Sequence, residues 1–324
     1  MYTTVTGNSV QEAKQWLCKN ELVAIPTETV YGLAANAFNA EAVQKIFSVK
    51  QRPLSNPLIL HVANKDTLQA LVTHLPDTAV ELLKAFSPGP LTLLLNKNAK
   101  VPSVVNAGLD KVAVRIPNHQ LTLNLLENLS FPLAAPSANP FGYISPTSAE
   151  HVYFQLNTKI PYILDGGFCS NGVESTVVGF NNDTPVIYRL GMITKEDIES
   201  VCGVCEINKN HVVTESPGML PYHYSPHTPL IITDNIQEAL QNYPLQNTGI
   251  ITVSSLINNV PVSNQRCLSL SGNINEAARN LYRYLIELDR LQLSVIIAER
   301  LPDKGLGTTL NERLEKAAAK NILK

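Results

Sequence analysis

The sequence predicts two α/β domains: a larger one with helices against a twisted, mixed, open sheet, and a smaller Rossmann-like one. Short apolar runs alternate with amphipathic helical patterns over residues 1–205, and this alternation resumes over residues 230–324. Between them, residues 206–229 lack periodicity and are rich in Pro, His, Tyr and Ser, which is typical of a linker. A length of 324 residues also exceeds that of a usual single domain.

The larger domain is predicted to contain eight strands, several of which end at polar, Pro-rich or Gly-rich loops. They cover residues 22–26, 58–62, 91–95, 112–116, 132–135, 162–164, 176–180 and 186–188. Loops at strand ends are the usual place for a functional site in such sheets. Seven helices are predicted at residues 9–19, 40–49, 65–72, 77–86, 121–129, 148–156 and 194–201.

In the smaller domain, strands are predicted at residues 230–233, 249–253, 267–270 and 294–298, and helices at residues 236–242, 274–291 and 310–320. The GxGxxG pattern of dinucleotide-binding domains is missing, and the Gly305-Leu306-Gly307 stretch predicts a turn. The linker carries His and Tyr side chains that are stabilised by packing and hydrogen-bond partners, so we predict an ordered linker that lies across a surface.

The composition argues against several classes of protein. The net charge is -2, so there is no overall basic field for RNA, DNA or an anionic membrane. No apolar run approaches the ~20 residues of a membrane helix, and the N-terminus lacks the pattern of a signal peptide. Five unevenly spread cysteines do not suggest a disulfide framework. We therefore predict a cytoplasmic protein with reduced thiols and no membrane partner.

A zinc site is suggested by the CxxC pair Cys202 and Cys205 and the HxxxH pair His223 and His227. The gap between the pairs is longer than in a usual zinc finger, and Pro221 and Pro226 would break a helix that presents the histidines. The sequence therefore predicts no protein-bound metal.

The most informative stretch covers residues 48–62. Asn39 can cap the helix over residues 40–49, which places Lys50 at or just past its last turn. Two prolines then end the helix before the strand over residues 58–62. Lys50 and Arg52 are thus predicted on an exposed loop, followed by Asn56 and His61. This loop can be interpreted in two ways. In the first, Lys50 satisfies the carbonyl end of its helix, Arg52 is solvated and His61 is a core histidine. In the second, the loop is a clamp for a polyphosphate, with a smaller co-substrate beside it.

Further candidates follow other strands. Thr29 lies in a hydroxyl-rich turn after the first strand, and Arg115 ends an apolar strand, where it should pair with a structural or a substrate carboxylate. The turns at residues 136–140 and 145–147 offer hydroxyls and free N–H groups of the kind that cradle phosphates. Residues 172–178 and 188–191 add hydroxyls and Arg189.

Taken together, these motifs form an ordered series: PTETVYGL, KQRP with SNPLILHV, SPGPLTLLL, VRIP, PSANP with SPT, GVESTVV, YRLG and SPGM. The series resembles the YrdC-type threonylcarbamoyl-AMP synthases in their long two-domain form, and the resemblance spans nearly the whole chain. It implies a YrdC-like catalytic domain at residues 1–205, a linker at 206–229 and a C-terminal Rossmann-like domain at 230–324. It also implies that L-threonine, bicarbonate or CO2 and ATP, with Mg2+, become threonylcarbamoyl-AMP and pyrophosphate.

The resemblance implies further partners and roles. A transferase complex would pass the threonylcarbamoyl group to adenosine 37 of tRNAs that read codons beginning with A, and tRNA binding by this chain would be weak. ATP would be held by Lys50, Arg52, Asn56, Lys111, Ser137, Asn139, Ser145, Arg189 and His223, with Lys50 and Arg52 as the catalytic cations. Threonine would be held by Thr29, His61, Arg115, Ala135 and Ser175.

The chain departs from the family pattern at several positions. Leu190, Phe141 and Ser87 replace residues that are usually Pro, Ser and Trp. In the linker, Leu220-Pro221-Tyr222 replaces a cationic stretch, although His223 and Tyr224 are retained. The linker therefore lacks the extra positive charge that the family pattern places beside the phosphates.

Two alternatives remain. The first is carbamoyl transfer of the kind used in hydrogenase maturation, although those longer proteins carry an acylphosphatase domain and zinc fingers that this chain lacks. The second is an RNA-binding module on the same fold, against which the net charge of -2 argues.

Overall fold

The structure is a computed structural model that describes residues 2–208 and 223–319. These residues form two compact units. The first contains residues 2–141, 146–170 and 174–208, and the second contains residues 142–145, 171–173 and 223–319. Most of the predicted linker, including Leu220, Pro221 and Tyr222, lies outside the described residues. The division at residues 205 and 229 stays a prediction.

The first unit is built on a mixed sheet of eleven strands in the order β1-β8-β2-β3-β7-β4-β6-β5-β9-β10-β11. The strands are β1 (Val5–Gly7), β2 (Val23–Ile25), β3 (Gly32–Asn36), β4 (Ile59–His61), β5 (Leu91–Asn96), β6 (Lys111–Arg115), β7 (Leu133–Ala134), β8 (Tyr162–Leu164), β9 (Thr176–Asn181), β10 (Thr184–Arg189) and β11 (Glu206–Ile207). Parallel and antiparallel pairs both occur, as predicted.

Seven helices accompany this sheet: α1 (Val10–Cys18), α2 (Ala40–Lys50), α3 (Lys65–Gln69), α4 (Asp77–Phe86), α5 (Gln120–Glu127), α6 (Ala149–Leu156) and α7 (Lys195–Cys202). Asn39 caps α2 as predicted, because its side chain accepts a hydrogen bond from the N–H of Ala42. The helix ends at Lys50, and Gln51 follows it with a positive φ of 55°.

Two apolar cores lie on opposite faces of the sheet. The larger core takes Val43 and Ile46 of α2, together with buried residues of α3, α4, α6 and α7. The other takes Ala13 and Leu17 of α1 and Leu125 of α5, which pack on β2, β3, β7 and β8. On this second face, the apolar cluster over β4, β5, β6 and β9 is small, and all of its described members, including the half-buried Tyr188, are strand residues. Because no described helix residue belongs to this cluster, polar side chains can occupy that part of the face.

The second unit has a parallel sheet of four strands, as the Rossmann-like prediction requires, in the order β12-β15-β13-β14. Its strands are β12 (Leu230–Thr233), β13 (Thr248–Thr252), β14 (Gln265–Cys267) and β15 (Val295–Glu299). Its helices are α8 (Ile236–Leu240), α9 (Ile274–Asp289) and α10 (Leu306–Ala318). The amphipathic α9 and α10 each bury eight of their residues, so both helices pack into the core of this unit.

Some elements differ from the prediction. The strands β1, β3 and β11 were not predicted, because their sequences are short or made of small residues and become strands through pairing with β8, β2 and β10. Helix α10 begins at Leu306, so Gly305-Leu306-Gly307 is a helix start rather than a turn. At Gly307 a Cβ would lie 2.0 Å from the Pro302 carbonyl oxygen, which explains the glycine.

None of the helices in the described part of the chain is both long and apolar enough to cross a membrane.

Candidate active site

Strand alternation brings the predicted polar residues to one face of the first unit's sheet. In β6, Val112 and Val114 point into the larger core, so Lys111, Ala113 and Arg115 share the opposite face. In β4, Leu60 points into the same core and His61 therefore lies on the face of Arg115. The charged side chains thus lie on the face that the larger core does not occupy.

Strand register then aligns these side chains in one row. His61 of β4 is opposite Arg115 of β6, and Arg115 is opposite Thr92 of β5. The hydroxyl of Thr92 lies 2.7 Å from that of Ser175, which immediately precedes β9. The guanidinium of Arg189, at the end of β10, donates to the Ser175 hydroxyl at 3.0 Å and to its carbonyl oxygen at 2.8 Å. Five neighbouring strands therefore contribute to one continuous polar row.

Arg115 has a protein carboxylate as its partner in this structure. Its guanidinium nitrogen lies 2.7 Å from the carboxylate of Glu28, and both side chains are buried, at 4% and 6% exposure. It also donates to the Thr29 hydroxyl at 2.9 Å and to the Gly89 carbonyl at 3.2 Å. Of the two predicted partners for Arg115, the structural carboxylate is the one observed. The Glu28 carboxylate oxygens have no partner with hydrogen-bond geometry, so the attraction between opposite charges 2.7 Å apart holds the Arg115–Glu28 pair together.

His61 is buried at 3% exposure and lies next to this ion pair. Burial, and secondly the charge of Arg115, lower its pKa to about 3. Its Nδ1 lies 3.3 Å from the carbonyl oxygen of Ile59. Because a carbonyl can only accept, Nδ1 carries the proton of the neutral ring and Nε2 is an acceptor. His61 therefore presents an uncharged acceptor for a hydroxyl or amine donor.

This pKa predicts an acid sensitivity. Between pH 3 and 6.5 the unfolded chain binds a proton at His61 that the folded chain does not, so stability falls as the pH falls through that window. From about pH 7 to about pH 4.5, His61 should account for a loss of roughly 2–3 kcal/mol in unfolding free energy. Urea unfolding at both pH values should show that His61→Gln loses less unfolding free energy than the wild type, by this amount. The exposed His74→Gln is the control; equal losses in the wild type and His61→Gln would contradict the prediction.

Lys50 is buried, at 1% exposure, so the expectation of an exposed loop was wrong for it. Its ammonium donates to the carbonyl oxygen of Ser137 at 2.6 Å and to that of Asn139. Its own carbonyl accepts from the N–H of Phe141 at 2.7 Å. Burial, and secondly the charge of Arg52, hold the pKa of Lys50 well below its usual range. Lys50 thus joins the end of α2 to the 137–141 loop.

Arg52 is also buried, at 7% exposure, rather than solvated or on an exposed loop. It donates to the Asn56 side-chain oxygen at 2.5 Å and to the carbonyl oxygens of Asn56 and Pro57 at 3.1 and 2.8 Å. The loop from residue 52 to 57 therefore folds around its own arginine. The amide nitrogen of Asn56 is buried without a hydrogen-bond partner, which marks it as a donor available to a ligand.

The loop after β7 carries three more of the predicted residues: Ala135, Ser137 and Asn139. The N–H of Ala135 donates to the carbonyl of Ile59 at 2.9 Å, which ties this loop to β4. Ser137 forms a bridge with Gly32 at the start of β3, and the N–H of Ala138 donates to the Tyr31 carbonyl at 2.8 Å. Ala135, Ser137 and Asn139 are thus held between β3, β4 and Lys50, which brings two groups of predicted residues together.

The structure separates Lys111 from the row. Lys111 begins β6 and Arg115 ends it, so their Cα atoms are four steps of extended chain, roughly 13 Å, apart. The Lys111 ammonium lies 5.4 Å from the Tyr188 ring centroid and 3.4 Å from its hydroxyl.

Ser145 and His223 belong to the second unit. Both are buried there, and the His223 N–H donates to the Lys316 carbonyl at 3.2 Å. The His223 ring meets Tyr224 edge to face at 4.1 Å. Among the described residues of the whole chain, no group of three or more His, Cys, Asp and Glu side chains is arranged to hold a metal ion.

Two residues of the site had no predicted role of their own: Thr92, which lies in the row, and Glu28, which pairs with Arg115. A signal for Thr92 exists, since it is a hydroxyl residue alternating with core leucines in PLTLLL, which places it on the polar face. Glu28 follows a buried strand among hydroxyl residues, but its pairing with Arg115 joins positions 87 residues apart. That contact follows from the tertiary structure.

Comparisons with known proteins cover both halves of the chain. A family model described as Telomere recombination (Sua5_yciO_yrdC) matches residues 15–191, and one described as Threonylcarbamoyl-AMP synthase, C-terminal domain (Sua5_C) matches residues 193–319. The threonylcarbamoyl-AMP synthase of Pyrococcus abyssi is 39% identical over 97% of this chain and 95% of its own length. That of Bacillus subtilis is 40% identical over 97% and 94%.

A solved structure is similar along its whole length. The crystal structure of P. abyssi Sua5 complexed with L-threonine superposes with a TM-score of 0.89 at 38% sequence identity, covering 98% of each chain. The two units and their order along the chain are therefore shared with a structurally characterised relative.

Proposed function

This chain belongs to the threonylcarbamoyl-AMP synthase family, in its two-domain form, and from that premise we propose a specific reaction. It is an enzyme of tRNA modification, a nucleotidyltransferase. We propose that it joins L-threonine, bicarbonate or CO2 and ATP into threonylcarbamoyl-AMP and pyrophosphate. The observation that carries this proposal is the buried row of His61, Arg115 and Ser175 beside Thr29, because it offers a small polar amino acid both charge and hydrogen bonds.

The threonine pocket is proposed at the Thr29 end of this row. The P. abyssi relative is known in complex with L-threonine, and we propose the same substrate here. Arg115 would attract the substrate carboxylate while it keeps its contact with Thr29, and His61 Nε2 would accept a hydrogen bond from the substrate. Ser175 and the backbone at Ala135 would supply the remaining contacts. Because these groups are buried, they also exclude water from the substrate.

The ATP site is proposed around Lys50 and the loops that it joins. Lys50, Arg52 and Arg189 would neutralise phosphate charge, and Asn56 has a buried donor available. The other proposed ATP contacts are Lys111, Ser137, Asn139, Ser145 and His223. Mg2+ would enter as part of the MgATP substrate, since phosphate and hydroxyl oxygens are the ligands that it prefers.

Positioning and charge neutralisation are sufficient for this chemistry. The threonine amine adds to CO2 with loss of a proton, or to bicarbonate with loss of water, and gives a carbamate. A carbamate oxygen then attacks the α-phosphate in line with departing pyrophosphate. No covalent enzyme nucleophile is needed. The protein's part is to hold the amine and the phosphate at reacting distance in a pocket of fixed donors.

The direct test measures pyrophosphate release with ATP and Mg2+, omitting threonine or bicarbonate in turn. We expect release that requires both, because the carbamate must form before it attacks the phosphate. Mass spectrometry should detect threonylcarbamoyl-AMP. Release without threonine, or with carbamoyl phosphate replacing bicarbonate, would instead indicate carbamoyl transfer. No release under any condition would refute the synthase activity and leave an RNA-binding role.

The product would pass to a transferase complex that modifies tRNA, and the cytoplasm is the proposed location. tRNA binding by this chain itself would be weak, since the net charge of -2 gives little attraction for phosphate.

A further inference from the structure

Residues 142–145 follow the 137–141 loop directly, yet they belong to the second unit. The hydroxyl of Tyr143 donates to one carboxylate oxygen of Asp289 at 2.7 Å. The other oxygen of the same carboxylate accepts from the backbone N–H of Thr228 at 2.7 Å. Asp289 therefore holds two segments that are far apart in sequence.

Further contacts join the same two segments directly. The N–H of Ser225 donates to the carbonyl of Gly142 at 2.8 Å. The ring of Tyr143 stacks on that of His227, with centroids 4.8 Å apart. Residues 142–143 and 225–228 thus form one hydrogen-bonded cluster around a carboxylate that is 6% exposed.

The base of this cluster is rigid. Asp289 is the last residue of the 16-residue α9, whose neighbouring Leu285, Ile286 and Leu288 are fully buried or nearly so. A carboxylate fixed on a packed helix holds its partners in one geometry at little entropic cost. A buried carboxylate also needs hydrogen-bond donors, and Tyr143 and Thr228 supply them.

The cluster lies next to both proposed ATP contacts of the second unit. Ser145 is two residues after Tyr143, and His223 is two residues before Ser225. The proposed threonine contacts, in contrast, all belong to the first unit. Whatever fixes this cluster should therefore act on ATP binding more than on threonine binding.

We propose that Asp289 is a positioning residue for the nucleotide: through Tyr143 and Thr228 it fixes Ser145 and His223 in the geometry that binds ATP. This rests on the proposed function. It gives the C-terminal unit a role in the reaction, which is to hold two nucleotide-binding segments in place.

The test uses Tyr143→Phe and Asp289→Ala in the full chain. Tyr143→Phe keeps the ring stacked on His227 and removes the hydroxyl alone; Asp289→Ala removes both hydrogen bonds. Calorimetry should show the Kd for ATP raised about 3- to 10-fold in Tyr143→Phe and at least about 10-fold in Asp289→Ala. The Kd for threonine should stay within about twofold of wild type, because its proposed contacts all belong to the first unit. Asp303→Ala, an exposed aspartate of the same unit, is the control.

The double variant sharpens the result. Because both single changes remove the Tyr143 to Asp289 hydrogen bond, the double variant should bind ATP about as weakly as Asp289→Ala alone. Thermal unfolding shows whether a variant binds ATP weakly because it is destabilised or because the nucleotide contacts are misplaced. If Asp289→Ala does not fold, the ATP affinity of Tyr143→Phe tests the proposal. An unchanged ATP Kd in folded Tyr143→Phe, or an equal loss of ATP and threonine affinity, would overturn the proposal.

A failure of the proposed function can be distinguished from a failure of the positioning role of Asp289. If the wild type binds ATP but makes no threonylcarbamoyl-AMP, the proposed function fails, while the ATP affinities still test Asp289. If the wild type does not bind ATP at all, Ser145 and His223 are not nucleotide contacts and the positioning role is wrong.

Discussion

Lys50→Met is expected to lower threonine-dependent pyrophosphate release at least about 100-fold while the protein stays folded. The ammonium of Lys50 is the cation that joins α2 to the 137–141 loop, and it is central to the proposed triphosphate site. Methionine fills most of the volume of the lysine stem. The lost hydrogen bonds are offset by removing a charge that is costly to bury, so unfolding free energy should change by less than about 2 kcal/mol.

Lys50→Ala should behave differently. It leaves a cavity at a position that is 1% exposed, and we expect it to destabilise the fold by about 2–4 kcal/mol. Lys45→Met is the matched control, since Lys45 lies on the same helix and forms a half-exposed ion pair with Glu21. Denaturant unfolding and pyrophosphate release on the same preparations check both expectations. Near-normal turnover in Lys50→Met would show that this ammonium has no role in catalysis.

Arg115→Ala is expected to remove activity and to destabilise the first unit by about 3–5 kcal/mol. The alanine variant would leave the Glu28 carboxylate buried without its cation, and it would also remove the donors to Thr29 and Gly89. The same change would delete the proposed partner of the threonine carboxylate. Activity alone therefore cannot separate the structural role of Arg115 from its proposed role in binding.

A double variant separates the two roles. In Glu28→Gln with Arg115→Met no unpaired charge is buried, so most of the lost stability should return. Threonine binding should stay below about one-tenth of the wild-type affinity, because the guanidinium is still missing. Denaturant unfolding and threonine calorimetry measure the two effects. If the double variant binds threonine normally, Arg115 is structural and the substrate carboxylate has another partner.

Local sequence patterns predicted most of the fold because they reflect local physics. The cap at Asn39, the apolar face of α2 and the alternation in β4 and β6 depend on residues within a few positions of one another. In β3, by contrast, small residues adopt a strand because β2 and β7 pair with it on both sides. No local pattern records that pairing.

The site shows the same division. Alternation within β4 and β6 places His61 and Arg115 on one face, and the ordered motifs predicted the family. That Arg115 pairs with Glu28, and that Lys50 is buried against the 137–141 loop, became visible only in three dimensions. The prolines after Lys50 correctly predicted the end of the helix, but the exposure of a loop depends on which distant segment packs over it.

The sequence by itself determined most of the secondary structure, the two α/β halves, the family and the residue types of the site. These follow from short-range periodicity and from motifs that are read directly along the chain. The tertiary structure decided which charges are paired, which cations are buried, and that residues 142–145 belong to the second unit with Asp289. Those outcomes depend on contacts between segments far apart in sequence, and burial there sets both the pKa values and the partners of the charged groups.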